Sequence, residues 1–495
     1  MRCLTLAEGL RSRGAQVAFV SREHDGHLLS LIAERGFAIH ALPAPADGWL
    51  PADHATHAAW LGAGIDEDAA QTLAALNQAD EELEWLIVDH YGIDARWERA
   101  LRSVARRIMV IDDLADRTHD CDLLLDQNLV ADFETRYTGL VPQQCALLLG
   151  PTYALLQSAY AALREHALAR EGPVRRILVF FGGIDPFGLT EKSVRAFTNL
   201  ERADIRLDVV IGRDHASAAA IERLAASRPN IVLHSGLPTL APLMAQADLA
   251  IGAGGATSWE RLCLRVPTIL ITVAGNQTAT ARELHRRELA EWLGSGDQVD
   301  QAMLQSALSR RLADHAESSR RQGGSLVDGR GESRVWAAMM LDADAPLASR
   351  PANERDEELL LEWANDPATR RNAFTKARIS PEGHKAWLQA RLNDGGCRML
   401  ILETADKIPV GQVRFDKEDQ AWAISYSVAP LLRGRGLGAK ILDMALSSLA
   451  SESLNGSILA RVKPANLASR RIFEKLGFAL VREDAKALEY RRKLP

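Results

Sequence analysis

Asp89-His90-Tyr91 follows the apolar run Trp85–Val88, and Asp112-Asp113 follows the run Ile108–Ile111. Gly182-Gly183-Ile184-Asp185-Pro186 follows Ile177–Phe181, and Asn276-Gln277 follows Thr268–Thr272. A fifth cluster, Gly252-Ala253-Gly254-Gly255-Ala256-Thr257-Ser258-Trp259-Glu260, follows Leu249–Ile251. Loops after parallel strands are where ligands sit in open α/β sheets, so these clusters predict one cleft. A second glycine-rich turn, Arg433-Gly434-Arg435-Gly436-Leu437-Gly438, opens a helical pattern near the C-terminus. Backbone amides without side-chain cover, at the positive start of a helix, suit phosphate oxygens. Two such turns in different contexts predict two sites for phosphate-bearing ligands.

The elements that must carry these residues are legible in the hydrophobic pattern. Between residue 15 and about 275, short continuous apolar runs alternate with longer amphipathic stretches. Val17–Val20, Leu207–Ile211 and Ile231–Leu233 join the runs above as strand candidates. Continuous hydrophobicity marks strands buried on both faces, hence a mostly parallel sheet under helices. The fold class read from this pattern is α/β. It has two doubly wound, Rossmann-like units dividing near Gly172-Pro173, about 1–170 and 171–341, with a ligand cleft between them. Residues 1–12 read as a helix that precedes the first strand, whereas a doubly wound unit normally opens with a strand leading into that helix. Residues 342–350 are small, polar and proline-punctuated, the profile of a linker. In 351–495, helical stretches (Leu359–Ala364, His384–Leu392) come first. Strand candidates Met399–Glu403, Val410–Phe415 and Ala421–Val428 follow. Leu437, Ile441, Met444, Ala445 and Leu449 then fall on one helical face after the second glycine turn.

Bulk properties exclude several classes. A chain of 495 residues exceeds one core, and its 47% hydrophobic and 25% charged content is ordinary for a globular protein. A net charge of -6 over this length gives no broad basic surface, so nucleic acid is not an expected partner. The five cysteines are scattered, as expected of free thiols in a reducing compartment. No apolar stretch approaches the ~18 residues of a membrane span, and Arg2, Glu8, Arg11 and Arg13 leave no signal-peptide core. The expected location is cytoplasmic, with no metal required.

Downstream of the second glycine turn come Lys463-Pro464-Ala465-Asn466-Leu467-Ala468-Ser469 and Phe473-Glu474-Lys475-Leu476-Gly477-Phe478. This combination resembles the GNAT acetyltransferase family over roughly residues 348–495. The resemblance implies acetyl-coenzyme A held at Arg433, Gly434, Arg435, Gly436, Leu437 and Gly438, with Arg433 and Arg435 adding charge. It further implies Asn466 and Ser469 near the pantetheine arm, and the backbone amide of Val428 polarising the thioester carbonyl. The chemistry implied is attack by a neutral amine and protonation of the leaving thiolate. Where many members place a tyrosine acid, this chain has Phe473; Tyr426, Tyr490 or water remain as substitutes.

The first 330 residues resemble the nucleotide-sugar hydrolase of the pseudaminic acid pathway, which is glycosyltransferase-B-like. Met1–Ala7, Asp89-His90-Tyr91, Ile111–Leu114, Leu124–Asn128, Gly150–Leu155, Gly182–Pro186, Gly254–Glu260 and Asn276-Gln277 carry the likeness. It implies hydrolysis of UDP-2,4-diacetamido-2,4,6-trideoxy-β-L-altropyranose. The Gly254 and Gly255 amides would hold the diphosphate, Glu260 would accept from the ribose hydroxyls, and Tyr91 and Asn276 would face the sugar. Arg2, Asp89, His90, Gly182, Gly183, Asp185, Thr257, Ser258 and Gln277 complete the implied substrate site. In that family a strand and a Gly-x-Gly-His turn precede the Met-Arg-Cys segment, and its histidine is the key catalytic residue. This chain begins at Met1-Arg2-Cys3, which reads as a start site placed downstream of the natural one.

The expected function is bifunctional: UDP-sugar hydrolysis joined to acetyl-CoA-dependent N-acetylation, the acceptor being a UDP-4-amino-4,6-dideoxy sugar. The alternatives are a UDP-sugar-dependent glycosyltransferase fused to an acetyltransferase, and a UDP-sugar-binding module beside an active acetyltransferase.

Overall fold

The computed structural model describes residues 1–50, 57–77, 82–166, 172–183, 185–212, 215–313, 326–451 and 456–493. The expected division at 170/171 and Ile184 of the Gly182–Pro186 cluster lie outside them. Two compact units, Met1–Val335 and Trp336–Pro495, make up the chain.

In the first unit the helix Arg2–Ser12 buries Leu4, Leu6, Ala7 and Leu10. β1 (Ala18–Arg22) pairs in parallel with β2 (Ala38–Leu42). β3 (Leu83–Val88), β4 (Ala105–Ile111), β5 (Leu123–Asp126) and β6 (Ala146–Leu149) form a separate parallel sheet in that order. These N-terminal strands thus make two ladders rather than one reversing sheet, because no hydrogen bonds join β1 to β3 among the described residues.

The remaining strands of this unit are β7 (Arg176–Phe180), β8 (Arg206–Ile211), β9 (Ile231–Ser235), β10 (Leu249–Ala253), β11 (Thr268–Thr272) and β12 (Glu291–Ser295). They lie in the order β12-β11-β10-β7-β8-β9, all parallel. This is the doubly wound arrangement, and its order reverses between β7 and β10. Ligand crevices open at such a switch point, beyond the carboxyl ends of the strands. Every residue of β10 and β11 is buried, as their uninterrupted hydrophobicity requires.

The second unit is a seven-stranded sheet in the order β13-β14-β15-β16-β17-β19-β18. Its strands are β13 (Leu347–Pro351), β14 (Cys397–Thr404), β15 (Pro409–Glu418), β16 (Ala421–Val428), β17 (Ser457–Val462), β18 (Ala479–Glu483) and β19 (Leu488–Lys493). Residues 347–350 of the expected linker are therefore strand. Leu347 pairs with Thr404 and Arg350 with Ile401, and these backbone bonds outweigh a small, polar composition.

All neighbours in this sheet are antiparallel except β16 and β17. Their parallel ladder ends at Ile424↔Ala460, while β16 continues to Val428 and β17 to Val462. Four residues of β16 are thus unpaired on that side. The helix Leu437–Ser451 packs its Leu437, Ile441, Ala445 and Leu449 face into the core beneath.

Candidate functional sites

In the first unit a cavity of about 460 Å³ is lined by Met1, Arg2, Trp60, Asp89, His90, Tyr91, Asp113, Gln127 and Asn128. Gly254, Gly255, Ala256, Asn276, Gln277 and Thr280 complete the lining. That volume suits a small-molecule ligand. The lining unites the ends of β3, β4 and β5 with those of β10 and β11, so four of the five clusters meet there, all but Gly182–Pro186.

One wall is a charge network. Arg2 reaches Asp89 with Nη2 at 2.6 Å and Nε at 3.0 Å, and Asp113 with Nη1 at 2.8 and 2.9 Å. Burial opposes the Arg2 charge, but the two carboxylates outweigh it and hold the guanidinium far above its ordinary range. Asp89 likewise stays below the usual carboxylate range, because Arg2 overcomes its burial. Tyr91 donates to Asp113 Oδ2 at 2.5 Å, and burial together with Asp113 pushes its phenol up. Tyr91 is therefore a donor, not a base.

His90 Nδ1 accepts from Gly92 N–H at 3.0 Å, which leaves Nε2 to donate to the Trp60 carbonyl at 3.2 Å. Burial pushes its pKa down, so the neutral ring is spent on positioning. His57, Trp60 and Tyr91 form a ring cluster with centroids 4.8 to 5.8 Å apart.

The opposite wall is the turn after β10. Among the described residues the amides of Gly254, Gly255 and Ala256 make no hydrogen bond. Gln277 packs against Gly254 and accepts from Val273 N–H at 3.0 Å through Oε1, while Asn276 is exposed. Glu260 does not line the cavity. Burial raises its carboxyl pKa against the opposing hydrogen bond from Tyr160, and Oε2 has no partner.

Five expected contacts are otherwise engaged or placed. Asp185 caps the helix Leu189–Thr198, accepting from Leu189 N–H at 2.9 Å and Thr190 N–H at 2.7 Å. Ser258 is buried and accepts from Arg261 Nη2 at 3.1 Å. Gly182 and Gly183 follow β7, beside β10 in the sheet, but neither they nor Thr257 line the cavity. Asp113, from the expected Asp112-Asp113 cluster, lines it, and Trp60, Gln127, Asn128 and Thr280 join it without having been singled out. Gln127 and Asn128 lay inside a quoted motif, whereas Trp60 carries no local signal.

Beneath this wall Asp126 accepts from Arg136 at 2.8 Å, Tyr137 at 3.1 Å and Asn128 N–H at 2.9 Å. Burial still prevails over Arg136 and pushes the Asp126 carboxyl up to about 7.

In the second unit Gly434 and Gly436 have φ of 79° and 76°, left-handed values that make glycine the residue of choice. Their amides make no hydrogen bond among the described residues. The two arginines of this turn face away from an anion. Arg433 Nη1 pairs with Asp366 at 2.6 Å, Nη2 donates to Thr369 Oγ1 at 2.9 Å, and Nε to Val428 O at 3.3 Å. Arg435 donates to the carbonyls of Ala337, Ala338 and Leu341. These carbonyls lie at a helix end, where cations are favoured, so both guanidiniums brace the turn and leave its backbone to bind.

Val428 ends the unpaired edge of β16. Asn466 caps the helix Leu467–Lys475 through Ser469 N–H at 3.2 Å, and Ser469 Oγ lies 3.0 Å from Tyr426 OH. Gly438 packs against Ile472, Tyr426 and Val428. Tyr490 instead donates to Glu474 at 2.8 Å.

Among the described residues, no group of three His, Cys, Asp or Glu side chains could hold a metal ion. No helix there is long and apolar enough to cross a membrane.

Known proteins align with both units. Residues 347–479 match the acetyltransferase (GNAT) domain family. The UDP-2,4-diacetamido-2,4,6-trideoxy-beta-L-altropyranose hydrolase of Campylobacter jejuni is 26% identical over 211 residues, 42% of this chain and 73% of that one. Uncharacterized protein MJ1062 of Methanocaldococcus jannaschii is 21% identical over 406 residues, covering 79% of this chain and 81% of its own. A solved spermidine N-acetyltransferase from Vibrio cholerae, in complex with CoA and spermine, aligns at 16% identity. It covers 30% of this chain and 95% of that one, with a TM-score of 0.28. The spore coat polysaccharide biosynthesis protein SpsG of Bacillus subtilis is 33% identical over 263 residues, 52% of this chain and 77% of its own. The protein is an enzyme with a sugar-hydrolase-like region and an N-acetyltransferase domain. By the SpsG match the chain belongs to the family of that spore coat polysaccharide biosynthesis protein, and it carries a GNAT domain in addition.

Proposed function

We propose that the first unit hydrolyses a UDP-activated diacetamido-trideoxy sugar to UDP and the free sugar, in pseudaminic acid biosynthesis. The observation that carries this reading is the single cavity between the Gly254–Ala256 amides and the Arg2–Asp89–Asp113–Tyr91 network. The amides take the diphosphate, where no side chain keeps phosphate oxygens away. Tyr91, its proton held on Asp113, faces the sugar with its hydroxyl oxygen as an acceptor, and Asn276 orients it. Departing UDP is stabilised by fixed dipoles already in place, which need no reorganisation during reaction.

The second unit transfers an acetyl group from acetyl-CoA to the amine of a UDP-4-amino-4,6-dideoxy sugar. The pyrophosphate lies on the amides of Gly434–Gly438, and the thioester lies along the unpaired edge of β16 that ends at Val428. The product of the acetylation is the substrate class of the hydrolysis, so one polypeptide holds consecutive steps. Both co-substrates belong to the cytoplasm, which is the location assigned.

The test supplies the full chain with acetyl-CoA and the UDP-4-amino sugar while measuring free CoA and UDP. CoA release followed by UDP release supports the reading. CoA release without any UDP sinks the hydrolase half, and transfer to a second sugar or lipid favours a glycosyltransferase.

A further inference from the structure

The residue directly beneath the Gly254–Ala256 turn is a cation. Arg261 is 2% exposed, and no carboxylate among the described residues lies within 4 Å of its guanidinium. Nη2 donates to the Ala253 carbonyl at 2.6 Å and to Ser258 Oγ at 3.1 Å, while Nε has no partner. The charge therefore has two neutral acceptors in hydrogen-bond contact, and the Glu260 carboxyl supports it only from beyond ion-pair distance. Burial pushes its pKa down to about 10, which still leaves it protonated at neutral pH. Space for the guanidinium is made in the sheet itself. At Gly252, on β10, a Cβ would stand 2.3 Å from Arg261 Nη1 and 2.5 Å from the Phe180 carbonyl.

A buried charge without a counter-ion is costly, and in a low dielectric its field reaches further than at a surface. Beside it is the turn, whose residues Gly254, Gly255 and Ala256 line the cavity and whose amides donate to no group among the described residues. We infer that Arg261 is a built-in counter-charge for a diphosphate bound on the outer side of the Gly254–Ala256 turn. The ligand supplies a second anion beside a cation that no carboxylate touches among the described residues. Arg261 does not touch the ligand; it sets the potential at the amides and, through Ala253 and Ser258, the shape of the turn. The inference rests on the UDP-sugar reading for the ligand's identity, but its own content is selectivity for the diphosphate group.

The experiment measures binding of UDP, uridine and inorganic pyrophosphate to the full chain by calorimetry, for wild type, Arg261→Met and Arg261→Lys. UDP and pyrophosphate are expected to weaken about tenfold or more in Arg261→Met, while uridine stays within about twofold. Arg261→Lys, which keeps the charge, is expected to stay within about threefold of wild type for UDP. Without ligand, Arg261→Met should melt near or above the wild-type temperature, because a buried charge with no carboxylate in contact has been removed. Pyrophosphate should then stabilise wild type and not the variant. If Arg261→Met does not fold, Arg261→Gln keeps a hydrogen-bond donor without the charge and gives the same comparison.

Equal UDP affinity in wild type and Arg261→Met, or a parallel loss of uridine, overturns the inference, as does a wild type that binds neither UDP nor pyrophosphate. A wild type that binds pyrophosphate in an Arg261-dependent way, but not UDP, sustains it and removes the uridine-sugar reading instead.

Discussion

Arg433 Nη1 stands 2.6 Å from Asp366 Oδ1, so the side chain expected to meet an anion ties its loop to the start of the helix Pro367–Asn372. Thr369 Oγ1 takes a second bond from the same guanidinium, at 2.9 Å. The pair is partly exposed, 32% and 17% at the two side chains, and its net contribution to stability is about 1 kcal/mol at most. Asp366→Ala is accordingly expected to leave the fold intact and loosen the turn. Steady-state kinetics should show KM for acetyl-CoA rising about three- to tenfold, with kcat changed less. An unchanged KM would mean that the turn keeps its shape without this brace.

Tyr426 and Tyr490 differ in what their hydroxyls do. Tyr426 meets Ser469 beside the unpaired edge of β16, whereas Tyr490 is committed to Glu474. Burial pushes the Tyr426 phenol up, so it holds its proton through neutral pH and is fit to give it to a leaving thiolate. Tyr426→Phe is expected to lower acetyltransferase kcat about 10²-fold with little change in KM for acetyl-CoA, and Tyr490→Phe to leave kcat near wild type. A reversed pattern would assign proton transfer to Tyr490.

Arg2 neutralises Asp89 and Asp113 together. Removing it strands two carboxylates that are 23% and 12% exposed, and losing one partner of such buried networks costs about 3–5 kcal/mol. Arg2→Met should lower the denaturant midpoint of the first unit markedly and abolish UDP binding. Arg2→Lys should recover part of the stability, since one ammonium cannot reproduce four hydrogen bonds. A wild-type midpoint in Arg2→Met would show that the network is not holding these loops.

Asp126 gives the first unit an unusual pH response. Its folded pKa, about 7, lies above its unfolded value, so its stabilising contribution is complete below the unfolded pKa. That contribution fades as pH rises through about 7. Asp89, Asp112 and Asp208, held low by Arg2, Arg117 and Arg176 against their burial, act in the opposite sense and lose stability as pH falls. In Asp126→Asn, melting temperatures measured from pH 5 to 8 should lack the decline that wild type shows between pH 5 and about 7. Parallel curves for the two proteins would place the Asp126 pKa near its ordinary value.

Much of this architecture is legible in the sequence, for a physical reason. Strands buried on both faces must be continuously apolar, so Ile177–Phe181, Leu249–Ile251 and Thr268–Thr272 announce themselves and carry their loops with them. Ala38–Leu42 and Glu291–Ser295 are half-buried and interrupted by His40, Glu291 and Gly294, and they escape that signal. Residues 347–350 escape it too, as an exposed strand at a sheet edge. In the sites, residue type was readable and direction was not. Arg433 and Arg435 follow a glycine turn as an anion site would, yet their partners Asp366 and Ala337 lie 67 and 98 positions away. Asp185 shows the same limit, since a carboxylate after a strand reads alike whether it meets a ligand or caps the next helix.

The gap between β16 and β17 is made by the place where a backbone ladder stops, at Ile424 and Ala460, and by no particular side chain. A single substitution therefore has little purchase on it. Substitutions at residues bordering the opening can change which amine it accepts without moving the end of the ladder. Such a cleft is a durable frame for evolving new substrates, because its geometry and its selectivity are written in separate parts of the chain.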